Sequence, residues 1–343
     1  MSLTNKDFDE IRKELDECKR PLFFFHDDPD GLASFLLLYR YCKKGYGVIV
    51  KSDPKVDDKF LRKVEEYMPD KIFVLDIALM EQSFADNTDM PIVWIDHHTP
   101  LNVSGPRYFN PRINNIKDNH PVAYLCYQVT KKDLWIAMTG CIGDWFLPDF
   151  SQEFSKKYPD LLPEVKTADD AMFNSRFGEL VSVFSFILKG KTKDVMQCIK
   201  ILTRINDPYE ILEQKTAQGK FIYRRYSQIN EKYQALLKHT LKQKSEDEIF
   251  IFIYKHAQIS FTKDLANELL FRNPDRLIVI GRDKTDEIKL SLRSRNIKLP
   301  SLIKSALKGL DGYGGGHEFA CGVTVKKKDF GKFLSRFRKE AGV

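Results

Sequence analysis

A cluster of carboxylates lies near the N-terminus, in the segment HDDPDG at residues 26–31. Like charges this close together repel one another, and a divalent cation placed among them removes the repulsion. The segment also has an ordinary interpretation, in which Asp30 is a helix N-cap and its neighbours form a polar turn. Taken alone, the segment leaves both interpretations open.

Three further groups of the same chemical type follow along the chain. They are Asp76, the run Asp96-His97-His98, and Asp144 at the end of GCIGD. A lone Asp at a strand end is usually a cap and a Gly-Asp pair is usually a turn, but two histidines after an Asp are rarer. Neutral imidazoles together with carboxylates suit Mn²⁺, Fe²⁺ or Zn²⁺, whereas Mg²⁺ prefers oxygen ligands.

Short apolar runs precede most of these groups and predict the elements that position them. The runs are LFFFH (22–26), GVIV (47–50), KIFVLD (71–76) and PIVWID (91–96). Because they do not alternate with polar residues, they are typical of parallel strands buried on both faces. Helix-length segments between them supply crossovers, so we predict an α/β fold with a doubly wound, mostly parallel sheet. Such sheets bind ligands at the carboxyl ends of their strands, where the acidic and histidine residues lie.

The rest of the chain predicts a connecting helix and a second, smaller α/β domain. A largely helical stretch ends near residue 204, and residues 207–244 carry apolar residues at the intervals of one long basic helix. The last hundred residues alternate predicted strands and helices around a cluster of glycines. We therefore predict a first, metal-binding domain over residues 1–206, the connecting helix over 207–244 and the second domain over 245–343.

Charge is divided unevenly along the chain. Lys and Arg number 23 against 30 Asp and Glu in residues 1–180, 13 against 5 in residues 181–244, and 19 against 13 in residues 245–343. An acidic first half and a basic second half suit a protein that gathers cations in one place and binds phosphates in another. Ordinary solvated surface charge explains the same numbers.

Cysteine usage and hydropathy argue against several classes of protein. The six cysteines include no Cys-x-x-Cys pair, so neither a zinc finger nor a disulfide framework is indicated. No apolar run approaches the roughly 18 residues that span a bilayer. The first residues are acidic where a signal peptide is basic and then apolar. We therefore expect a cytoplasmic protein.

Taken in order, the four acidic motifs resemble those of the DHH superfamily of phosphoesterases. His-x-Asp-x-Asp-Gly, a strand-ending Asp, Asp-His-His and Gly-Asp follow one another at residues 26–31, 76, 96–98 and 143–144. The segment GGGH at residues 314–317, followed by FACGVTV, is similar to the signature of the DHHA1 domain that accompanies the family. The resemblance is closest to the RecJ-like and nano-RNase-like branch, and within it to archaeal RecJ-like nucleases.

The resemblance implies a centre for two divalent metal ions. It assigns the first ion to His26, Asp28 and Asp76, and the second to Asp30, Asp76, His97 and Asp144, with Asp76 as the bridge. Asp96 would orient its neighbours, and His98 would face the substrate as a phosphate ligand or proton donor. The implied ions are Mn²⁺, with Mg²⁺ or Co²⁺ as alternatives.

The second domain is expected to bind the phosphates of the substrate. Consecutive glycines can direct backbone N–H groups at one anion, which assigns Gly315 and Gly316, with His317 as a further donor. Arg293 and Arg295 would share a strand face, because side chains on a strand alternate with a period of two. The resemblance gives an arginine such as Arg293 a contact with a substrate phosphate. A simple chain turn and solvated arginines are the alternative interpretations.

Aromatic and basic residues are interleaved on the connecting helix, where Tyr223 and Tyr226 flank two arginines. Such a pattern can stack the bases of a single strand. Core packing is the better explanation for at least one of the tyrosines. The histidines outside the motifs, His120, His239 and His256, are expected to be surface or satisfied polar residues.

Three functions are compatible with these observations. The first is an exonuclease that releases nucleoside monophosphates from single-stranded DNA or RNA, because basic residues supply most non-specific affinity for nucleic acid. The alternative is an enzyme of small nucleotides: a nano-RNase, a 3′-phosphoadenosine 5′-phosphate phosphatase or a cyclic-dinucleotide phosphodiesterase. The third is a binding subunit of a repair or replication helicase. Expected partners are therefore single-stranded nucleic acid or a short oligonucleotide, such a helicase, or a second copy in a homodimer.

Overall fold

A parallel sheet forms the centre of the N-terminal part of the chain. The computed structural model describes residues 2–51, 54–243, 247–255 and 259–342. The strands before residue 110 are β1 (Pro21–His26), β2 (Tyr46–Val50), β3 (Lys55–Val56), β4 (Lys71–Leu75), β5 (Leu79–Met80), β6 (Ile92–Ile95) and β7 (Arg107–Phe109). Five of them pair in the order β2-β1-β4-β6-β7, all parallel, while β3 pairs with β5. The predicted α/β sheet is confirmed, and β7 is a strand that the sequence did not predict.

Helices connect these strands and continue beyond them. They are α1 (Asn5–Glu17), α2 (Pro29–Cys42), α3 (Leu61–Tyr67), α4 (Gln82–Asn87), α5 (Val122–Thr130), α6 (Leu134–Gly143), α7 (Ser151–Lys157), α8 (Ala168–Phe173), α9 (Phe177–Ile187), α10 (Thr192–Leu202), α11 (Pro208–Leu212) and α12 (Ala217–Leu241). Both faces of the sheet are covered. On one face, Phe25 of β1 stacks on Phe35 of α2 at 4.6 Å. On the other, Phe24 packs edge-on against Phe84 of α4 at 6.0 Å. This double coverage explains why the strands are apolar throughout.

The predicted connecting helix is two helices, and the prediction of a single one was wrong. Asp207 and Thr216 each cap the start of a separate helix. Asp207 accepts a hydrogen bond from the N–H of Tyr209 at 2.9 Å, and Thr216 accepts one from the N–H of Gly219 at 3.0 Å. Between them Gln214 has a φ of +53°, which ends the first helix. The long helix is therefore α12, and residue 244, the predicted end, lies outside the described residues.

The chain divides into two compact units, residues 1–227 and 228–343. The second unit contains β8 (Ile249–Lys255), α13 (Thr262–Arg272), β9 (Leu277–Asp283), β10 (Glu287–Arg293), α14 (Leu299–Leu307), β11 (Gly312–His317), β12 (Ala320–Lys326) and α15 (Lys327–Ala341). Its sheet has the order β11-β12-β10-β9-β8, in which only the β8–β9 pairing is parallel. Phe333 and Phe337 of α15 are fully buried in the core of this unit. The predicted second α/β domain is thus present.

The glycine cluster forms an edge strand, which corrects the expectation of an anion nest. Gly314, Gly315 and Gly316 all lie in β11 and pair with β12. Strand pairing keeps successive N–H groups on opposite sides of the chain, so they cannot all converge on one anion. A second expectation also fails: β10 ends at Arg293, so Arg295 lies beyond the strand and shares no face with it.

Among the described residues, no helix combines the length and the apolar character that crossing a lipid bilayer requires.

Candidate metal centre

Three of the predicted residues are brought together by the register of the parallel sheet. β1, β4 and β6 are neighbours, and Phe25, Leu75 and Ile95 lie side by side in them. The residues that follow these positions are His26, Asp76 and Asp96. They therefore emerge at one edge of the sheet, at the carboxyl ends of the strands.

The turn from β1 to α2 folds its carboxylates back over this edge. Asp28 is the N-cap of α2, with Oδ1 accepting the N–H of Gly31 at 3.1 Å, and Pro29 takes the first helical position. The alternative that Asp30 is the N-cap was therefore wrong. A Cβ on Gly31 would lie 2.5 Å from the carbonyl oxygen of His26, so only glycine allows the helix to begin this close to the strand.

Asp30 is buried at the N-terminus of a different helix, α5. Its Oδ2 accepts the N–H of Val122 at 2.9 Å and its Oδ1 accepts that of Ala123 at 2.7 Å. Even so, burial, followed by the charges of Asp76 and Asp144, raises the pKa of Asp30 well above its ordinary value. A cation beside this carboxylate would reverse the effect of the neighbouring charges.

Asp144 is delivered to the same place by the end of α6. Two glycines allow that helix to approach its neighbours: a Cβ on Gly140 would lie 2.5 Å from the Cβ of Ala123, and one on Gly143 would lie 2.5 Å from the Cβ of Pro29. Asp144 follows the helix directly, and its Oδ2 lies 3.8 Å from Nε2 of His97. The glycines of this motif therefore allow α6 to pack closely against its neighbours.

Asp76 stands between the two sets of predicted ligands. Its Oδ2 lies 3.4 Å from Nδ1 of His26, which is 3.1 Å from Oδ2 of Asp28. Its other oxygen, Oδ1, lies 3.4 Å from Nε2 of His97. Three groups have ligand atoms within 4.8 Å of one another: His26, Asp28 and Asp76; Asp30, His97 and Asp144; and Asp76, His97 and His98. The structure thus brings all six predicted ligands into one centre.

Buried polar atoms at this centre fit a metal ion. Nδ1 of His26, Oδ2 of Asp76 and Nδ1 of His97 are buried and make no hydrogen bond to any described residue. Burial lowers the pKa of both histidines, but nearby carboxylates outweigh it: Asp28 and Asp76 for His26, and Asp144 and Asp76 for His97, leave both values well above the ordinary one. In the absence of a metal ion, bound protons therefore supply the positive charge that the carboxylates favour.

The family of the protein follows from its two halves. Residues 22–140 match the model of the DHH family, N-terminal domain, and residues 250–342 match the model of the DHHA1 domain. The chain belongs to the DHH superfamily. The DHH match covers the sheet edge that carries His26, Asp76 and His97, and the DHHA1 match covers the second sheet.

Solved structures share this fold over the whole chain. RecJ in complex with Mn²⁺ from Thermus thermophilus is 16% identical, with a TM-score of 0.70 over 100% of this chain and 55% of that one. Exonuclease RecJ bound to manganese is 17% identical, with a TM-score of 0.59 over 100% of this chain and 96% of that one. CDC45 from Entamoeba histolytica is 12% identical, with a TM-score of 0.56 over 100% of both chains. The chain spans only about half the length of Thermus RecJ. No curated protein sequence matches it.

Behind the DHH-domain centre, Asp96 is fully buried and organises a hydrogen-bond network. Its Oδ1 accepts a hydrogen bond from Nδ1 of His98 at 2.7 Å, and its Oδ2 accepts one from the backbone N–H of His98 at 3.1 Å. Oδ2 also accepts hydrogen bonds from the Tyr108 hydroxyl at 3.1 Å and from Nδ2 of Asn110 at 3.2 Å. Neither Tyr108 nor Asn110 was predicted from the sequence. Tyr108 lies in the unpredicted strand β7 and Asn110 directly follows it, at the carboxyl end that β7 places at this edge.

The predicted substrate-binding residues lie in the DHHA1 domain and have two different surroundings. Gly315, Gly316 and His317 are exposed along the edge strand β11. Arg293 is half-buried, and its guanidinium donates to Oδ1 of Asn267 at 2.5 Å and to the carbonyl of Leu292 at 2.8 Å. Burial lowers the pKa of Arg293 to about 10. The guanidinium is thus held in place by the domain itself.

The aromatic pair on the connecting helix packs against the first compact unit, residues 1–227. Tyr226 is buried and stacks on Phe186 at 6.0 Å, and the Tyr223 hydroxyl donates to Oε1 of Glu179 at 2.9 Å. Base stacking by Tyr226 is therefore excluded, and core packing is its role. Of the remaining histidines, His120 pairs with Asp118 at 2.5 Å and His239 is exposed, while His256 lies outside the described residues.

Proposed function

We propose that the protein is a phosphodiester hydrolase that works with two divalent metal ions. The observation that carries the proposal is the position of Asp76, whose two oxygens each lie 3.4 Å from a different imidazole, His26 and His97. Each imidazole has further carboxylates beside it, so one buried Asp links two sets of metal-type ligands. That is the arrangement a bridged pair of ions requires.

The chain offers a complete set of ligands for such a pair. One ion would be held by His26, Asp28 and Asp76, and the other by Asp30, Asp76, His97 and Asp144. The mixture of imidazoles and carboxylates favours Mn²⁺ and remains compatible with Mg²⁺ or Co²⁺. Bound divalent ions would supply Lewis acidity, which neutralises charge on a phosphodiester and lowers the pKa of water.

We assign to His98 the role of supplying the proton that the leaving oxygen needs. Its Nδ1 is engaged by Asp96, which fixes the ring, and we assign the other nitrogen, Nε2, to the substrate. Burial lowers the pKa of His98, but its hydrogen bond to Asp96 and the charge of that residue raise it above the ordinary value. A larger fraction of His98 therefore carries the transferable proton near neutral pH. Asp96, Tyr108 and Asn110 act through His98 as positioning residues.

The substrate class that we propose is single-stranded DNA or RNA, cleaved from an end to nucleoside monophosphates. Residues 181–343 carry 32 Lys and Arg against 18 Asp and Glu. An excess of this size favours a polymer of phosphates over a single small nucleotide, because each neutralised phosphate releases counterions and adds affinity. The RecJ-like fold supports the same proposal.

The test is cleavage of end-labelled DNA and RNA of graded length, from two to about 30 nucleotides, with Mn²⁺. An exonuclease shortens the long single strands stepwise from one end, and its affinity falls steeply as salt rises. Cleavage of dinucleotides alone, with little salt dependence, would support the small-nucleotide enzyme instead. Binding of single strands without hydrolysis of any length would overturn the enzymatic proposal and favour a binding subunit.

A further inference from the structure

A tryptophan takes the place of glycine directly after the candidate ligand Asp144. The end of α6 is a Schellman turn: the N–H of Phe146 donates to the carbonyl of Cys141 at 2.9 Å, and that of Trp145 donates to Ile142 at 3.1 Å. Trp145 therefore occupies the left-handed position of the turn, with a φ of +61°. Glycine is the usual residue here, and a bulky side chain in this conformation is strained.

The side chain of Trp145 does not compensate for the strain by burial. The protein has three tryptophans, all of them described; Trp94 and Trp135 are 0% and 2% exposed, whereas Trp145 is 38% exposed. Its ring lies 5.8 Å from that of Phe173, tilted by 32°. The indole therefore contacts Phe173 on one side, while part of its surface remains exposed to solvent. Strained backbone clusters at functional sites, although it also occurs at ordinary helix ends such as that of α3, so the position of Trp145 in the chain matters as well.

Trp145 directly follows a candidate metal ligand along the chain. Adjacent Cα atoms are about 3.8 Å apart, so the indole starts one residue from the carboxylate of Asp144. A nucleotide whose phosphate lies at the metal centre carries a flat base within a few Å of that phosphate. Indole faces stack on every base, so such a contact adds affinity without selecting a sequence.

We propose that Trp145 is a stacking platform for the base of the nucleotide bound at the metal centre. This inference rests on the phosphodiesterase function proposed above and adds a substrate preference to it: a nucleotide that carries a base at the cleaved bond should bind more tightly than an abasic one. Substrates that present only sugar and phosphate would bind without this contact.

The first experiment uses the tryptophan itself as the probe. Fluorescence of the Mg²⁺-loaded protein is titrated with 5′-AMP and with ribose 5-phosphate. Because the other two tryptophans are buried, stacking on Trp145 predicts quenching by 5′-AMP, little quenching by ribose 5-phosphate, and loss of the 5′-AMP effect in Trp145→Gly. Equal quenching by the two ligands, or quenching that survives in the variant, would overturn the proposal.

The second experiment measures cleavage. Trp145→Gly should fold at least as stably as the unmodified protein, because glycine accepts the positive φ. Its KM for a 5′-phosphorylated diadenylate should rise about 10- to 100-fold with kcat largely retained, and Trp145→Phe should recover most of that loss. A dinucleotide with an abasic residue at the cleaved bond should be hydrolysed equally well by Trp145→Gly and the unmodified protein.

The matched control is Met68→Gly. Met68 is an exposed residue at the left-handed end of α3, with a φ of +44°, and lies outside the metal ligands. The Met68→Gly substitution should leave the KM for the dinucleotide unchanged. If Trp145→Gly and Met68→Gly behave alike while the unmodified protein cleaves the dinucleotide, the stacking proposal is wrong and the proposed function stands. If the unmodified protein cleaves no phosphodiester, the proposed function itself fails.

Discussion

The carboxylate of Asp30 accepts the backbone N–H of Val122 at 2.9 Å, the first residue of α5. One oxygen of the same carboxylate lies within 4.8 Å of possible ligand atoms of His97 and Asp144. One side chain therefore both ties the start of a helix to the sheet edge and forms part of the candidate metal centre. We expect this double use to couple the stability of the DHH domain to metal binding.

Asp30→Asn should affect both properties. Its amide nitrogen cannot accept one of the two backbone N–H groups, so the free energy of unfolding should fall by about 1–3 kcal/mol. Mn²⁺ should bind more weakly at one of two sites, which calorimetric titration would resolve as two separate steps. Asp57→Asn is the matched control, because Asp57 caps a helical turn outside the centre and Asn caps equally well. Unchanged metal binding would remove Asp30 from the ligand set.

Asp76→Asn should abolish turnover and leave the fold intact. Asn tolerates the φ of +55° that Asp76 adopts, so the backbone need not change. The cleavage rate should fall by more than the roughly 100-fold that outer partners of a metal ligand can contribute. The thermal midpoint of the metal-free protein should change little. Asp89→Asn, on an exposed loop, controls for the loss of one negative charge. Retained cleavage would contradict the bridging role.

Asp96→Asn should lower the pKa of His98. The present pKa is raised by the hydrogen bond and the charge of Asp96, both of which the variant weakens. NMR titration of the His98 ring in the metal-free protein would show a midpoint at lower pH than in the unmodified protein. In the metal-loaded enzyme, the decline of kcat towards high pH should shift in the same direction, because the protonated form is the acid. A midpoint that does not move would contradict control of His98 by Asp96.

Metal binding should release protons, and the stabilisation of the folded protein by metal should grow with pH. The pKa values of His26, His97 and Asp30 are raised, so the metal-free folded state holds more protons than the unfolded state. These groups therefore stabilise the metal-free fold at low pH. That stabilisation is lost as pH rises from the pKa values of the unfolded chain, about 3.9 for Asp and about 6.5 for His, through the higher pKa values of the folded protein. Mn²⁺ needs the deprotonated groups and gains affinity over the same range. Calorimetry in two buffers of different ionisation enthalpy would count the protons, and proton uptake would contradict the prediction.

Arg293→Met tests the predicted phosphate contact in the DHHA1 domain. If the guanidinium binds a phosphate, single-strand affinity should fall for all sequences alike, and the slope of log affinity against log salt should decrease by about one. Asn267→Ala is the control, because it removes the hydrogen-bond partner of Arg293 and keeps the charge. Equal effects of the two substitutions on the slope would mean that Arg293 has only a structural role.

Ligand types and their order along the chain could be predicted from the sequence because each depends on local chemistry. His26, Asp76 and Asp96 follow buried strands, and parallel strands place such residues at one edge. The fold class was predicted for the same reason, since continuous apolar runs identify strands covered on both faces. The starts of the two helices in the connecting segment also depend on local residues, the caps Asp207 and Thr216. The break between the helices was not predicted because apolar residues continue across it at helical intervals.

Other features were decided only by the tertiary structure, because they depend on residues that are distant in sequence. Asp30 meets Val122 across 92 positions, and nothing near either residue indicates that contact. The glycines after Gly312 became an edge strand because β12 offered them hydrogen bonds, which overrode their preference for turns. The sequence made no prediction for Trp145. Its left-handed conformation depends on the hydrogen bonds at the end of α6, and the exposure of its ring depends on the packing around it. The sequence by itself determined which side chains can bind metal, and the packing of α5 and α6 on the sheet determined how they meet.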